Sequence, residues 1–414
     1  MHARRLLLVL AALSLACSPS AQEAPPEEAA APKAQVSVER TYIYPEQFAP
    51  GKSYTPAVLA GDRLYLAGMI DLDPKTGEQP EGIEAQTRMA MDSIGHVLKQ
   101  AGMTYSNLVS CHVMLDDMEN YKAMNEVYGS YYEEGKYPAR TTLEMPSLVA
   151  GAHVEISCIG YRKADEIKYV HAAEGTTPPA MGPYSQGVLA GGVLYLSGQG
   201  GRNPETNEVA EDVAEQTDQT LKTISEVLKA AEMDFSNVVF TNVYYLGPEN
   251  RSTVDERYMQ PFMDGGAPSR GAFCLSRLPG TISVEITFIA SEDKYITRLH
   301  PHDAQPGSTA SPASLTGDTL YTSAYAAPDA GESLEAQMRA ILEEQKARLA
   351  LAAMDFSNVV DAKVYLADSG DFQAMDALFK EYFPNNPPAR TTVGVREEGD
   401  RAGTKLEIAL IAVK

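Results

Sequence analysis

The chain has 414 residues, of which 44% are hydrophobic and 22% charged, with no tryptophan. That length exceeds one ordinary core and implies two to four domains. The formal net charge of −22 keeps the surface soluble and argues against nucleic acid as a partner, because phosphate-backbone binding needs a basic face.

Arg4 and Arg5 precede an apolar run from Leu6 to Ala16 that is too short to span a bilayer. Residues 1–16 therefore read as an export signal. The run ends in LSLACSPS, where Ala16-Cys17 resembles a bacterial lipoprotein cleavage site with Cys17 lipidated. Ordinary signal-peptidase cleavage after Ala16 or Ala21 is the alternative. Residues 17–39 are rich in Pro, Ala and Glu and cannot bury a core, so they read as a disordered tether. The expected location is the cell envelope, in the periplasm or at the outer membrane. The lipid would be the only membrane contact, and a soluble secreted form is the other possibility.

From residue 40 the sequence repeats itself three times, over 40–164, 165–291 and 292–414. Each unit opens with strand-like runs around a glycine turn: AGDRLYLAG from Ala60, AGGVLYLSGQ from Ala190 and TGDTLYTSAY from Thr316. A helix-like segment follows from Ile83, Val213 or Leu334. In the first, Ile83, Thr87, Ala90, Ile94, Val97, Leu98 and Ala101 form one apolar stripe. MDFSNVV then occurs verbatim at Met233–Val239 and Met354–Val360, with MTYSNLV at Met103–Val109 as its relative. A strand, a second helix and two further strands close each unit, giving the order β-β-α-β-α-β-β. KADEIKYVHA and SEDKYITRLH read as short linkers between packed units.

After Cys17 the cysteines are Cys111, Cys158 and Cys274, an odd count at unrelated spacings. Buried thiols are expected, with a Cys111–Cys158 bridge left open. The seven histidines form no metal-binding pattern.

PARTT occurs at Pro138–Thr142 and Pro388–Thr392, with PSRGA at Pro268–Ala272 between them. Each arginine precedes a glutamate at nearly the same spacing: Arg140 with Glu155, Arg270 with Glu285, Arg390 with Glu407. Turn-forming sequence lies midway, so each pair is expected to face across an antiparallel hairpin. An exposed cross-strand ion pair would contribute only roughly 0.2–1 kcal/mol. Here each glutamate sits in an apolar run, where an unpaired carboxylate is costly, and the pair persists in copies that have otherwise drifted. A guanidinium holds a carboxylate bidentately, and a nearby carboxyl group moves protons. Together they suit a small carboxylic acid whose α-carbon is attacked by water.

MGPYSQGV at Met181–Val188, LYLSGQ at Leu194–Gln199, Gln216, MDFSNVV, Arg270 and SVEITFIA from Ser283 resemble the RidA (YjgF-type) family of reactive-intermediate, or enamine/imine, deaminases. The resemblance spans nearly all of residues 40–414. It implies an α+β fold of three chorismate-mutase-like domains, each a mixed six-stranded sheet with two helices. Family members assemble as homotrimers with clefts between subunits. The three copies would accordingly form an intramolecular pseudo-trimer, and the chain would be a monomer. The implied reaction is hydrolysis of small 2-imino or 2-enamino acids to 2-oxo acids and ammonia, with no metal and no organic cofactor. Arg140, Arg270 and Arg390 would bind the substrate carboxylate, and Glu155, Glu285 and Glu407 would be the acid/base groups. Tyr54 and Tyr184 match the cleft tyrosine of the family, and Ser197, Gly198 and Gln199 match its strand end.

The copies depart from that pattern unequally. Ala67-Gly68-Met69 replaces the strand end in the first, and Ala310 and Ala324 replace tyrosine and glycine in the third. The asparagine of the second helix is Asn125 in the first copy only, with Asp255 and Asp376 in the others. Unequal sites are expected. A non-catalytic small-carboxylate binder and a purely structural protein are the rival readings.

Overall fold

The computed structural model describes residues 38–49, 51–263, 266–300, 308–395 and 402–414. The export signal, Cys17 and nearly all of the tether lie outside these residues, as does the turn-forming sequence expected midway between Arg390 and Glu407.

The first unit comprises β1 (Arg40–Ile43), β2 (Ala57–Ala60), β3 (Arg63–Leu66), β4 (Met69–Ile70), α1 (Ile83–Gln100), β5 (Leu108–Leu115), α2 (Tyr121–Gly129), β6 (Ala139–Glu144) and β7 (Val154–Tyr161). Its sheet runs β1-β2-β3-β7-β5-β6, with β4 also against β7. The second unit repeats this with β8 (Lys168–Val170), β9 (Gly187–Ala190), β10 (Val193–Leu196), β11 (Gln199–Gly200), α3 (Val213–Ala230), β12 (Val238–Leu246), α4 (Arg251–Met259), β13 (Ser269–Leu275) and β14 (Val284–Ser291). The third has β15 (Thr297–Leu299), β16 (Ala313–Thr316), β17 (Thr319–Thr322), α5 (Leu334–Leu351), β18 (Val359–Leu366), α6 (Phe372–Tyr382), β19 (Ala389–Gly394) and β20 (Leu406–Val413).

Two segments expected to be linkers contain edge strands instead. β8 pairs with β9 and β15 with β16, so each unit gains a leading strand. The stripe on α1 is buried as its spacing requires, with Thr87, Ala90, Met91, Ile94, Val97 and Leu98 turned to the sheet. The SNVV repeat has a structural cause. Asn237 accepts from the backbone N–H of Asp234 at 3.0 Å and donates to the Ser291 carbonyl at 2.8 Å. Asn358 does the same with Asp355 and Val413, and Asn107 with Thr104 and Tyr161. One amide thus ties the end of the long helix to the last strand in every unit.

The expected hairpin between arginine and glutamate strands is corrected by the sheet order. β5 lies between them, parallel to β6 and antiparallel to β7, so Arg140 stands opposite Cys111 and Glu155 opposite Met114. Arg140 packs over Tyr121 and Tyr128 of α2. Glu155 alternates with Val154 and Ile156, which enter the core on the helix side, so it projects from the other face. Arginine and glutamate of one unit cannot meet.

The same register corrects the cysteine expectation. Cys111 and Cys158 are directly opposite, with Cα atoms 4.1 Å apart, and form a disulfide. Spacing along the chain gave no hint of this, because a whole helix–strand segment separates two adjacent strands. Cys274 is buried as a thiol.

The helix-free faces meet in a shared core that contains Met114 and Leu143, Tyr244 and Phe273, and Tyr365 and Val393 from successive units. At each seam two backbone bonds recur. Ser185, Ser311 and Thr55 donate to the carbonyls of Pro138, Pro268 and Pro388 at 3.3, 3.1 and 3.0 Å. Gly198, Ala324 and Gly68 donate to the carbonyls of Arg140, Arg270 and Arg390 at 3.1, 3.0 and 3.1 Å. The contacts therefore run in a cycle: first unit to second, second to third, third to first. The proline–arginine segments recur because they form these seams.

Candidate active site

Each seam brings the arginine of one unit to the glutamate strand of the next. Between the first and second units, Arg140, Thr142, Tyr184, Gly198, Gln199 and Glu285 line one cleft, together with Tyr121. Arg140 and Glu285 are both almost fully buried. Ser197 does not line the cleft but fixes it. Its hydroxyl accepts from the Arg140 N–H at 2.8 Å and donates to the Ser185 carbonyl at 2.5 Å. The Arg140 guanidinium lies over the rings of Tyr121, Tyr128 and Tyr184, 5.8, 5.0 and 5.6 Å from their centroids. Among the described residues its Nη1 has no hydrogen-bond partner, and its Nη2 reaches the Tyr121 hydroxyl at 3.4 Å. A buried guanidinium with spare donors is an anion site in waiting.

Two glycines make room for these groups. A Cβ on Gly198 would lie 1.8 Å from Oε1 of Glu285, and one on Gly182 would lie 2.7 Å from Nη2 of Arg140. Burial pushes the Glu285 carboxyl up to about 8, although Arg140 pulls the other way. Burial likewise raises Tyr184.

Between the third and first units, Tyr54, Gly68, Glu155, Arg390 and Thr392 line the corresponding cleft, with Asp376. Glu155 is raised to about 8, again mainly by burial, against the pull of Lys363, the Thr392 N–H and Arg390. A Cβ on Gly68 would meet Glu155 Oε1 at 1.7 Å. Here one arm of the guanidinium is ion-paired, Arg390 Nη2 bonding Asp376 Oδ1 at 2.7 Å, while Nη1, like that of Arg140, has no partner among the described residues. Burial alone would raise the Asp376 carboxyl, but the Ser53 hydroxyl and Arg390 together hold it below its usual value.

Between the second and third units, Arg270 forms an ion pair with Asp255 and packs over Tyr258, 4.3 Å from its centroid. Ala324 stands where Gly68 and Gly198 stand, since Tyr325 pairs with Ile408 as Gln199 does with Ile286. Its methyl group takes the space that holds the carboxylate in the other clefts. Glu407 is buried on β20.

The structure thus groups the sequence-derived residues as Arg140 with Tyr184, Gly198, Gln199 and Glu285, as Arg390 with Tyr54 and Glu155, and as Arg270 beside the Glu407 strand. Sequence reasoning missed the rings under each guanidinium, Tyr121 with Tyr128, Tyr258, and Phe372 with Phe379. Their signal was present, because they flank Asn125, Asp255 and Asp376 at helical spacing on the same face.

The two raised glutamates carry a stability prediction. In the folded chain both hold their protons up to about pH 8, whereas in the unfolded chain they lose them near 4.5. The folded state binds more protons across that window, so stability is lost as pH rises through it. Each group contributes up to about 1.4 kcal/mol per pH unit. A Glu155→Gln/Glu285→Gln variant should match the parent melting temperature at pH 5 and exceed it at pH 9, as calorimetry would show.

The family model described as Endoribonuclease L-PSP matches residues 45–161, 174–292 and 305–414. A RutC family protein of Pyrococcus horikoshii is 40% identical over 111 residues, which is 27% of this chain and 87% of that protein. A protein of Rattus norvegicus named 2-iminobutanoate/2-iminopropanoate deaminase is 40% identical over 108 residues, 26% of this chain and 78% of its own. Among solved structures, RidA from the Antarctic bacterium Psychrobacter sp. PAMC 21119 is 30% identical over 30% of this chain and 98% of that one, with a TM-score of 0.29. With a matching unit at each of three positions, the chain belongs to the Endoribonuclease L-PSP family, the RidA-type proteins.

Proposed function

We propose that the first–second cleft hydrolyses small 2-imino acids to 2-oxo acids and ammonia. The observation that carries this reading is the buried Arg140, its Nη1 without a partner among the described residues, in one cleft with Glu285, whose carboxyl burial pushes up to about 8. Arg140 would take the substrate carboxylate through its Nη atoms. The apolar wall of Pro178, Pro279 and Ile282 would face a short side chain, and a cavity volume of about 70 Å³ suits a small substrate.

The proton steps follow from the state of Glu285. Its carboxyl group donates to the imine nitrogen and so makes the C=N carbon more electrophilic. The resulting carboxylate takes a proton from the attacking water as the new C–O bond forms. The same proton then goes to nitrogen, the C–N bond breaks, ammonia leaves, and the hydroxyl returns its proton to the Glu285 carboxylate to give the 2-oxo acid and restore the starting form. Because the cycle begins with protonated Glu285, kcat/KM should fall above an apparent pKa of about 8. A profile that instead rises through pH 9 would assign the starting form to the carboxylate.

The single chain would do the work of three subunits, as a monomer. The lost glycine and tyrosine at the second–third cleft favour a role there without turnover. Export to the cell envelope is part of the same proposal. The Cys111–Cys158 disulfide supports it, because such bonds persist in oxidising compartments. The net charge of −22 disfavours the ribonuclease activity that the family description mentions.

The test uses an amino-acid oxidase to generate the imine and semicarbazide to trap it. The full chain should accelerate imine loss, and the Arg140→Ala/Arg270→Ala/Arg390→Ala variant should not. A folded full chain that leaves the trapped yield unchanged for several side chains would overturn the reading.

A further inference from the structure

We propose that one position on the second helix decides which cleft admits a carboxylate, and that the chain therefore has a single carboxylate site. The position is Asn125 in the first unit, Asp255 in the second and Asp376 in the third. The inference deepens the proposed function and rests on its assignment of Arg140 as the carboxylate anchor.

The three guanidiniums are equivalent in backbone position and nearly equal in burial, yet their electrostatic states differ. Arg270 and Arg390 each have an ion-pair partner on the second helix of their own unit, Asp255 and Asp376. An incoming carboxylate would have to displace that partner, which is covalently tethered at high effective concentration, and then lie against its negative charge. Asn125 offers Arg140 no charge, and its Oδ1 accepts no hydrogen bond among the described residues. The two side chains nevertheless lie side by side, since a Cβ on Gly182 would approach both Arg140 Nη2 and Asn125 Nδ2, at 2.7 and 3.2 Å. The Arg140 charge is thus left for a ligand, while the asparagine amide supplies a further donor at the same spot.

The third–first cleft retains the other parts: Tyr54 over Arg390, Glu155 with the space made by Gly68, and Thr392. Removing one negative charge should therefore be enough to open it. Asp376→Asn is isosteric and keeps the Ser53 contact possible, whereas Asn125→Asp should close the first–second cleft by the reverse change.

The experiment is titration calorimetry of the full chain with 2-oxobutanoate, the product of 2-iminobutanoate hydrolysis, with each variant's melting curve recorded alongside. The expected stoichiometries are one for the parent, two for Asp376→Asn and none for Asn125→Asp. A crystal structure of Asp376→Asn with the ligand should show the second molecule on Arg390. A parent that binds two or three equivalents would overturn the gating inference alone. So would a folded Asp376→Asn that remains at one, or a folded Asn125→Asp that still binds. A parent that binds none would overturn the anchor role of Arg140, and the gating inference with it.

Discussion

Glu285→Gln should lower kcat for imine hydrolysis by about 10²–10⁴-fold, the range a positioned acid/base group contributes. Glutamine preserves the size of the side chain and can still donate a hydrogen bond, but it cannot give up or take a proton. Binding of the 2-oxo acid product should change little, because the carboxylate anchor is Arg140 on the opposite wall. The loss should thus fall on kcat with KM nearly unchanged. At neutral pH the buried Glu285 is already uncharged, so the substitution removes chemistry without removing a charge. Glu155→Gln, in the cleft whose arginine is paired with Asp376, should leave the rate within about twofold of the parent. Stopped-flow or trapping kinetics on the two variants would rank the clefts, and equal losses would contradict the ranking.

Gly198→Ala should be nearly as damaging, by steric means. The added methyl carbon would lie 1.8 Å from Glu285 Oε1 and 2.7 Å from its Cδ. Backbone on both sides is fixed, by the bond from Gly198 to the Arg140 carbonyl and by the pairing of Gln199 with Ile286. The glutamate must therefore leave its site. The chain already holds this change in Ala324, which shows that the fold accommodates alanine there. A stability cost of about 1–3 kcal/mol is expected from overpacking, together with a fall in kcat of at least about 10²-fold. A folded Gly198→Ala enzyme with the parent rate would mean that Glu285 does not act from its observed position.

Much of this architecture is legible in the sequence. The three units, their helices and the Arg–Glu sets follow from internal repetition, because each unit solves the same packing problem with the same residues. The pairing of arginine with glutamate is not legible. It depends on β5 lying between the two strands, which puts Arg140 and Glu155 on opposite faces and makes the partner come from another unit. The same hidden adjacency concealed the Cys111–Cys158 disulfide. The replacement of Asn125 by Asp255 and Asp376 could be seen, but its consequence could not, because it requires knowing that this helix position faces the guanidinium. Local periodicity identifies elements, whereas the site arises from non-local contacts between them.

The central claim is that one composite cleft, Arg140 from the first unit with Glu285 from the second, performs the hydrolysis. The most direct measurement compares the imine-hydrolysis rate of Arg140→Ala with that of the Arg270→Ala/Arg390→Ala double variant, each confirmed as folded. The account predicts that the single variant loses acceleration while the double variant retains most of it. A single variant that keeps most of the rate while the double variant loses it would place the chemistry in the other clefts and contradict the account.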